Sequence, residues 1–79
     1  MATKKSKSPR ARLAKVIEVS AASDKGIEDA VRFGLGRVAK TVGNIRGAWI
    51  SDIKVCTTPD GEISEWRVDM RVSFIVNGD

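Results

Sequence analysis

Apolar residues recur along this chain with two different spacings, one typical of a strand and one of a helix. Leu13–Ala22 is rich in β-branched residues and ends in small ones, which predicts a first strand. Beyond it, apolar and small residues recur three and four positions apart, as on one side of a helix of about five turns. These positions are Ile27, Ala30, Val31, Gly34, Leu35, Val38, Ala39 and Val42. Ser23 or Asp24 is expected to cap the start of this helix, and Gly43-Asn44 to end it.

Two long strands are predicted after the helix, at Ile45–Cys56 and Glu62–Val76. The residues between them contain Pro59-Asp60-Gly61, a turn sequence, so the two strands should form an antiparallel hairpin. In the second strand apolar and polar residues alternate, which predicts one face on the core and one polar face. The expected fold class is therefore α+β, a β-α-β-β chain whose three-stranded antiparallel sheet carries one helix.

The first hairpin strand is less regular, and its apolar residues predict a second buried surface. Trp49, Ile53 and Val55 share the parity of Gly47, and we expect this parity to face away from the helix. Soluble monomers rarely expose an apolar patch of this kind. The pattern therefore predicts that the chain associates with copies of itself.

Composition supports this prediction. A chain of 79 residues makes one small domain and buries only about 60% of the surface that it exposes when unfolded. Its one cysteine allows no internal disulfide, and the lack of histidine excludes histidine-based catalysis and His-ligated metal. Such a chain either folds marginally alone or gains a core by association, and association is the expected route.

The net charge of +4 belongs to the N-terminus. Six of the fourteen basic residues and none of the ten acidic ones lie in the first fifteen positions. Residues 1–12 bury too little apolar surface to order themselves, so they are predicted to form a flexible basic tail on a domain spanning 13–79. Such a tail is either a solubilising leader or a weak, sequence-blind anchor for nucleic acid. With no signal peptide or membrane span in the sequence, cytoplasmic localisation is expected.

Few residues indicate chemistry, and no enzyme activity or metal site is predicted. Gly34-Leu35-Gly36 resembles part of a dinucleotide-binding motif but lies inside the helix, where a close approach to the sheet or to another helix better explains both glycines. Cys56 has no histidine to activate it. Acidic and basic residues alternate on the last strand, which is typical of ion pairs between strands or subunits. Trp49 beside Gly47 is either an interface contact or an aromatic wall for a flat ligand.

Residues spread over 14–76 together resemble the dodecin family. They are the strand Lys15-Val16-Ile17-Glu18-Val19, Ser23 before the helix, Ala30, Ala39 and Thr41 on it, Ile45 after it, and the ending Arg67-Val68-Asp69-Met70-Arg71-Val72-Ser73-Phe74. The resemblance implies a β-α-β-β protomer whose hairpin partly wraps the helix, with twelve copies closing into a hollow shell. It also implies a non-enzymatic protein that stores or sequesters flavins such as riboflavin, FMN or FAD, stacked between symmetry-related tryptophans.

Two flavin-contacting positions of the family carry other residues in this chain. Counting from Ile45, the stacking tryptophan corresponds to Gly47, and the glutamine that hydrogen-bonds the flavin ring corresponds to Arg67. Trp49 shares the parity of Gly47 and could line the same cavity, while Arg67 could pair with a phosphate or carboxylate. The predicted ligand site is therefore Gly47, Trp49 and Arg67. The alternatives are a shell that has lost flavin binding and an oligomer that binds nucleic acid through its tail.

Overall fold

The computed structural model describes residues 11–76, and its order of elements is the predicted β-α-β-β. Strand β1 spans Ala14–Ser23, helix α1 spans Ile27–Val42, β2 spans Ile45–Thr57 and β3 spans Ile63–Ile75. The sheet is antiparallel with β3 in the centre, in the order β1-β3-β2. The fold class is thus confirmed. Residues 1–10 of the predicted tail lie outside the described residues, so the boundary between tail and domain stays a prediction.

The turns at the end of the helix and between the hairpin strands form where the sequence predicts them. Gly43 and Asn44 end the helix with φ angles of 63° and 54°, a left-handed backbone that glycine and asparagine tolerate best. In the hairpin, Gly61 donates its N–H to the carbonyl of Thr58 at 2.9 Å and has a φ of 88°. The local sequence therefore determines both chain reversals.

The start of the helix differs from the prediction. The N-cap is Gly26, with a φ of 148° and no capping side chain, so neither Ser23 nor Asp24 caps the helix. Ser23 Oγ instead accepts the N–H of Lys25 at 2.9 Å and donates to Asp29 Oδ2 at 2.5 Å. Ser23 lies too far ahead of the helix to accept an unpaired N–H of its first turn. It therefore connects the loop to that turn through the side chain of Asp29.

The core lies between the helix and the two strands beneath it, β1 and β3. Its buried residues are Ala21, Ala30, Val68, Met70 and Val72. Gly34 faces this core, and a Cβ added there would lie 2.9 Å from both Ala21 Cβ and Met70 Cε. Gly34 therefore lies at a close approach of helix and sheet. At Gly36 an added Cβ meets nothing within 4 Å, so for this residue only a helix-to-helix approach stays a prediction.

A β-bulge changes the parity of β2 at its middle. Ile50 pairs with Met70 and Asp52 pairs with Asp69, so Ser51 is an extra residue with no partner of its own. The Ser51 hydroxyl donates to the carbonyl of Asp69 at 3.1 Å, which anchors the extra residue to the central strand. Because a bulge inserts one extra residue, the residues after it face the side of the sheet opposite to the one that simple alternation predicts.

Because of the bulge, the predicted apolar patch does not lie on the face away from the helix. Ile53 pairs with Val68 and Val55 with Trp66, so both lie on the helix side of the sheet. They remain 54% and 38% exposed, because the helix covers mainly β1 and β3. Trp49 precedes the bulge and stays on the other face. The exposed apolar surface is therefore present, but on the side opposite to Trp49.

Candidate functional site

The sheet face that points away from the helix, here called the outer face, is mostly polar and charged, apart from Trp49 and, towards one end, Val16 and Ile75. The central strand contributes alternating charges, β2 contributes the tryptophan and two charges, and β1 contributes one carboxylate. Its main members are Glu18 on β1, Gly47, Trp49, Asp52, Lys54 and Cys56 on β2, and Glu65, Arg67, Asp69, Arg71 and Ser73 on β3.

Trp49 stands on this face with its ring 54% exposed and in contact with one cation. Arg71 is its direct partner across the strands, and the guanidinium carbon lies 5.4 Å from the ring centroid, a cation–π contact. On its other side Arg71 pairs with Glu18. An aromatic surface and a cation thus lie together in the middle of an exposed sheet.

Gly47 leaves open space beside the tryptophan. The two residues are neighbours on the outer face, and a Cβ at Gly47 would meet nothing within 4 Å. Ser73, the partner of Gly47, donates its hydroxyl to the Gly47 carbonyl at 3.3 Å and holds the edge strand in place. The structure therefore brings Gly47 and Trp49 together, as predicted.

Arg67 shares the outer face but lies apart from Trp49. It is four residues from Arg71 along β3, about 13 Å at the rise of a strand, with the Asp69 row in between. Its guanidinium donates to Glu65 Oε2 at 2.6 Å. This hydrogen bond raises the pKa of Arg67 above its ordinary value, helped by the charge of the same carboxylate and, less, by contact with Cys56. Arg67 is therefore a fixed cation at a distance from the tryptophan.

The charges on the outer face are only partly compensated within the protomer: Arg67 pairs with Glu65 along β3, Arg71 stands opposite Glu18 of β1, and the predicted ion pairs between subunits stay a prediction. Across the sheet Asp69 pairs with Asp52 and Arg67 pairs with Lys54, so like charges stand directly opposite each other. Such pairs are destabilising unless diagonal neighbours or a binding partner compensate them. The four side chains line a recess of about 50 Å³. A water occupies about 30 Å³, so the recess of one protomer is far too small for an aromatic ligand.

Other features of residues 11–76 do not add to this site. No three side chains of the types that bind metals lie close enough together within this range to hold an ion. No helix in the same range is long and apolar enough to cross a membrane. A larger groove of about 380 Å³, lined by Ile17, Val38 and Thr41 among others, lies beside the end of the helix and contains none of the candidate residues.

Sequence reasoning missed Arg71 as a partner of Trp49. The alternation along β3 places Arg71 on the outer face. Which residue of β2 lies opposite Arg71 depends on the register between β2 and β3. The bulge at Ser51 and the register shift between Cys56 and Thr57, which both lie between Trp49 and the hairpin turn, set that register. The single glycine of β2, Gly47, is next to one of the register shifts and is the local signal that could have indicated an irregular strand.

Comparisons with known proteins agree on one family. The family model described as Dodecin matches residues 13–77. A search of curated protein sequences finds no match. The fold is similar to dodecin from Streptomyces davaonensis, with a TM-score of 0.79 and 25% identity over 85% of this chain and 97% of that one. It is also similar to dodecin from Streptomyces coelicolor, with a TM-score of 0.80 and 21% identity over 90% and 100% of the two chains.

A third similar structure is named for a ligand, calcium. It is the calcium-chelating immunodominant antigen calcium dodecin from Mycobacterium tuberculosis, described with a novel calcium-binding site. Its TM-score is 0.71, with 25% identity over 85% of this chain and 94% of that one. Of these three similar structures only this one is named for a ligand, so the ligand of this chain must be argued from its own residues.

Proposed function

Because the chain belongs to the dodecin family, we propose that it assembles with copies of itself, in a shell of twelve, and that the assembly binds flavin at Trp49 without catalysing a reaction. The observation that carries the proposal is the exposed ring of Trp49 on a polar face, with open space at Gly47 and a cation at Arg71. A large aromatic surface left in water is costly unless something covers it.

Self-association is supported by the apolar residues on the helix side of the hairpin. Ile50, Ile53 and Ile63 are each about half exposed, and Val55 is 38% exposed. Together they form an apolar strip beyond the end of the helix, where no part of residues 11–76 covers them. Burying this strip against a second copy would supply the core surface that the small protomer lacks.

A ligand site between copies is supported by the openness of the outer face around Trp49, which is 54% exposed beside open space at Gly47. Small-molecule pockets usually enclose about 300 Å³ or more, so a ring stacked on this open surface needs further walls from other copies. A second tryptophan related by symmetry would provide the opposite wall. In this arrangement Gly47 leaves room for the ligand ring to slide between the two tryptophans.

Arg71 favours a ligand that carries a phosphate. A flavin ring that stacks on Trp49 either uses the free face of the indole or displaces the guanidinium. The displaced Arg71 can then donate two hydrogen bonds to a phosphate, and Arg67 lies further along the same face as a second cation. FMN should therefore bind more tightly than riboflavin.

The proposal is tested by titrating flavin with the purified full-length protein and measuring flavin fluorescence. Stacking on Trp49 should quench the emission strongly, and Trp49→Ala should abolish the quenching. Trp66→Phe is the matched control, since Trp66 lies half-buried on the opposite side of the sheet. Light scattering on the same samples reports the assembly.

Each part of the proposal has its own contradicting result. Unchanged flavin emission at micromolar protein would reject flavin as the ligand, and a stable monomer in light scattering would reject the assembly. The alternative function, nucleic-acid binding, rests on the basic composition of residues 1–12 multiplied over many copies. It predicts that DNA or RNA binding is lost when residues 1–12 are deleted and that flavin binding is not.

A further inference from the structure

Helix α1 carries a second stripe, on the side opposite to the core. Asp29, Phe33, Gly36 and Lys40 are spaced four, three and four positions apart, and all four are exposed. This is the spacing by which two helices pack along a common seam. The core stripe, with Ala30 and Gly34 buried, faces the sheet instead. We call the four exposed residues the helix seam.

Nothing in the described protomer accounts for the two central residues of the helix seam. The Phe33 ring is 52% exposed and is covered only from one side by Arg37, whose guanidinium carbon lies 5.6 Å from the ring centroid. Gly36 weakens the helix by about 1 kcal/mol relative to alanine, yet a Cβ there would meet nothing. An exposed aromatic ring next to a missing side chain has the shape of a knob beside a hole.

The helix seam is complementary to itself when one copy is reversed. Asp29 and Lys40 lie at equal distances from the midpoint between Phe33 and Gly36. A two-fold axis at this midpoint places Asp29 opposite Lys40 of a second copy and Phe33 opposite Gly36 of that copy, twice over. A parallel pair would bring like charges together. The acidic first turn, with Glu28 and Asp29, and the basic last turn, with Lys40, favour the same antiparallel arrangement.

We propose that helix α1 pairs antiparallel with helix α1 of a second copy of this chain, with Phe33 seated over Gly36 and Asp29 against Lys40. Four residues per helix bury less than the area of about 1,000 Å² that a stable dimer needs by itself. The helix pair therefore forms either between two copies that other contacts already hold in one assembly, or between two assemblies that contact each other through many copies. It involves neither Trp49 nor the apolar strip of the hairpin, so it goes beyond the proposed function.

A zero-length carbodiimide cross-link between a carboxylate and an amine tests the pair on the native full-length protein. Within one helix Asp29 and Lys40 are eleven residues apart, about 16 Å, so an amide between them forms only between two copies. We expect mass spectrometry to identify the Asp29–Lys40 linked peptide. Gly36→Gln should reduce its yield at least tenfold by filling the hole, while the protomer has free space for the new side chain.

Arg32→Gln is the matched control, because it adds the same side chain to the same helix at a position that is 75% exposed and outside the helix seam. It should leave the yield of the linked peptide unchanged. The proposal is wrong if the peptide is absent although Lys40 reacts with an amine-specific reagent, or if Gly36→Gln and the native protein give equal yields. Circular dichroism verifies the helix in each variant. Flavin titration and light scattering on the same variants report separately on the proposed function, which can fail or succeed without the helix pair.

Discussion

Replacing Gly34 by alanine tests how closely the helix approaches the sheet. The added methyl group would lie 2.9 Å from Ala21 Cβ and from Met70 Cε, whereas carbon atoms in contact prefer about 3.5–4.0 Å. Ala21 Cβ is fixed to the backbone of β1. The Met70 methyl group is the end of a flexible side chain, but Met70 is only 1% exposed and has little room to move.

Two opposing effects determine the free energy of unfolding of this variant. Alanine in place of glycine favours a helix by about 1 kcal/mol. Overpacking a core by one methyl group costs about 1–3 kcal/mol. Gly34→Ala should therefore range from neutral to about 2 kcal/mol less stable. Within the protomer Gly36→Ala receives the same helical gain without any contact, so this variant of the protomer should be about 1 kcal/mol more stable than the native one.

The difference between Gly34→Ala and Gly36→Ala isolates the overpacking cost, because the helical preference cancels. Urea unfolding followed by helical circular dichroism measures it, with all samples at the same protomer concentration since association contributes to stability. Adding Ala21→Gly to Gly34→Ala should recover part of the loss, and a double-mutant cycle gives the coupling energy. Equal stability of the two alanine variants would refute the close approach of helix and sheet.

Three further predictions concern the hairpin. Deleting the bulge residue Ser51 should preserve the fold, because the remaining residues of β2 keep their partners on β3. Deleting Lys54 instead should turn the next apolar residue to the outer face and strongly lower the urea midpoint of unfolding. Ile53→Ser should leave the helical circular dichroism signal intact but weaken assembly in light scattering by about 1 kcal/mol per buried side chain, while Lys54→Ser should not. Gly47→Trp should lower flavin affinity about tenfold in fluorescence titrations, because the new side chain fills the open space that the ligand ring needs beside Trp49; an unchanged affinity would show that the ring does not occupy this space.

Elements and turns depend on local patterns, and these were predicted closely from the sequence. The first strand begins and ends one residue later than predicted, and the helix ends at the predicted Gly43. Residues three or four apart share one side of a helix and alternate residues share one face of a strand, so spacing alone indicates which side is buried. The exception is the helix start, where Ser23 bonds to Asp29 across the loop instead of capping the helix.

The candidate site was predicted in part. The face of Gly47 and Trp49 follows from their spacing, and the structure keeps them together on the outer face. The structure separates Arg67 from them by two rows of the sheet and brings Arg71 to the tryptophan instead. Which residues meet across strands depends on register, and here an extra residue at Ser51 sets the register.

The sequence by itself therefore determined the order of the elements and the side of the helix and of β3 that faces the core. It also indicated the family, through the spacing of residues that the chain shares with it. Only the tertiary structure decided where the apolar residues after Ser51 point, which arginine covers Trp49, and why Gly34 must be a glycine while Gly36 need not be one in the protomer. The physical reason is that periodicity arises from the geometry of a single helix or strand. A bulge, a cross-strand partner and a close contact arise from two segments that are distant in sequence and meet only in the folded chain.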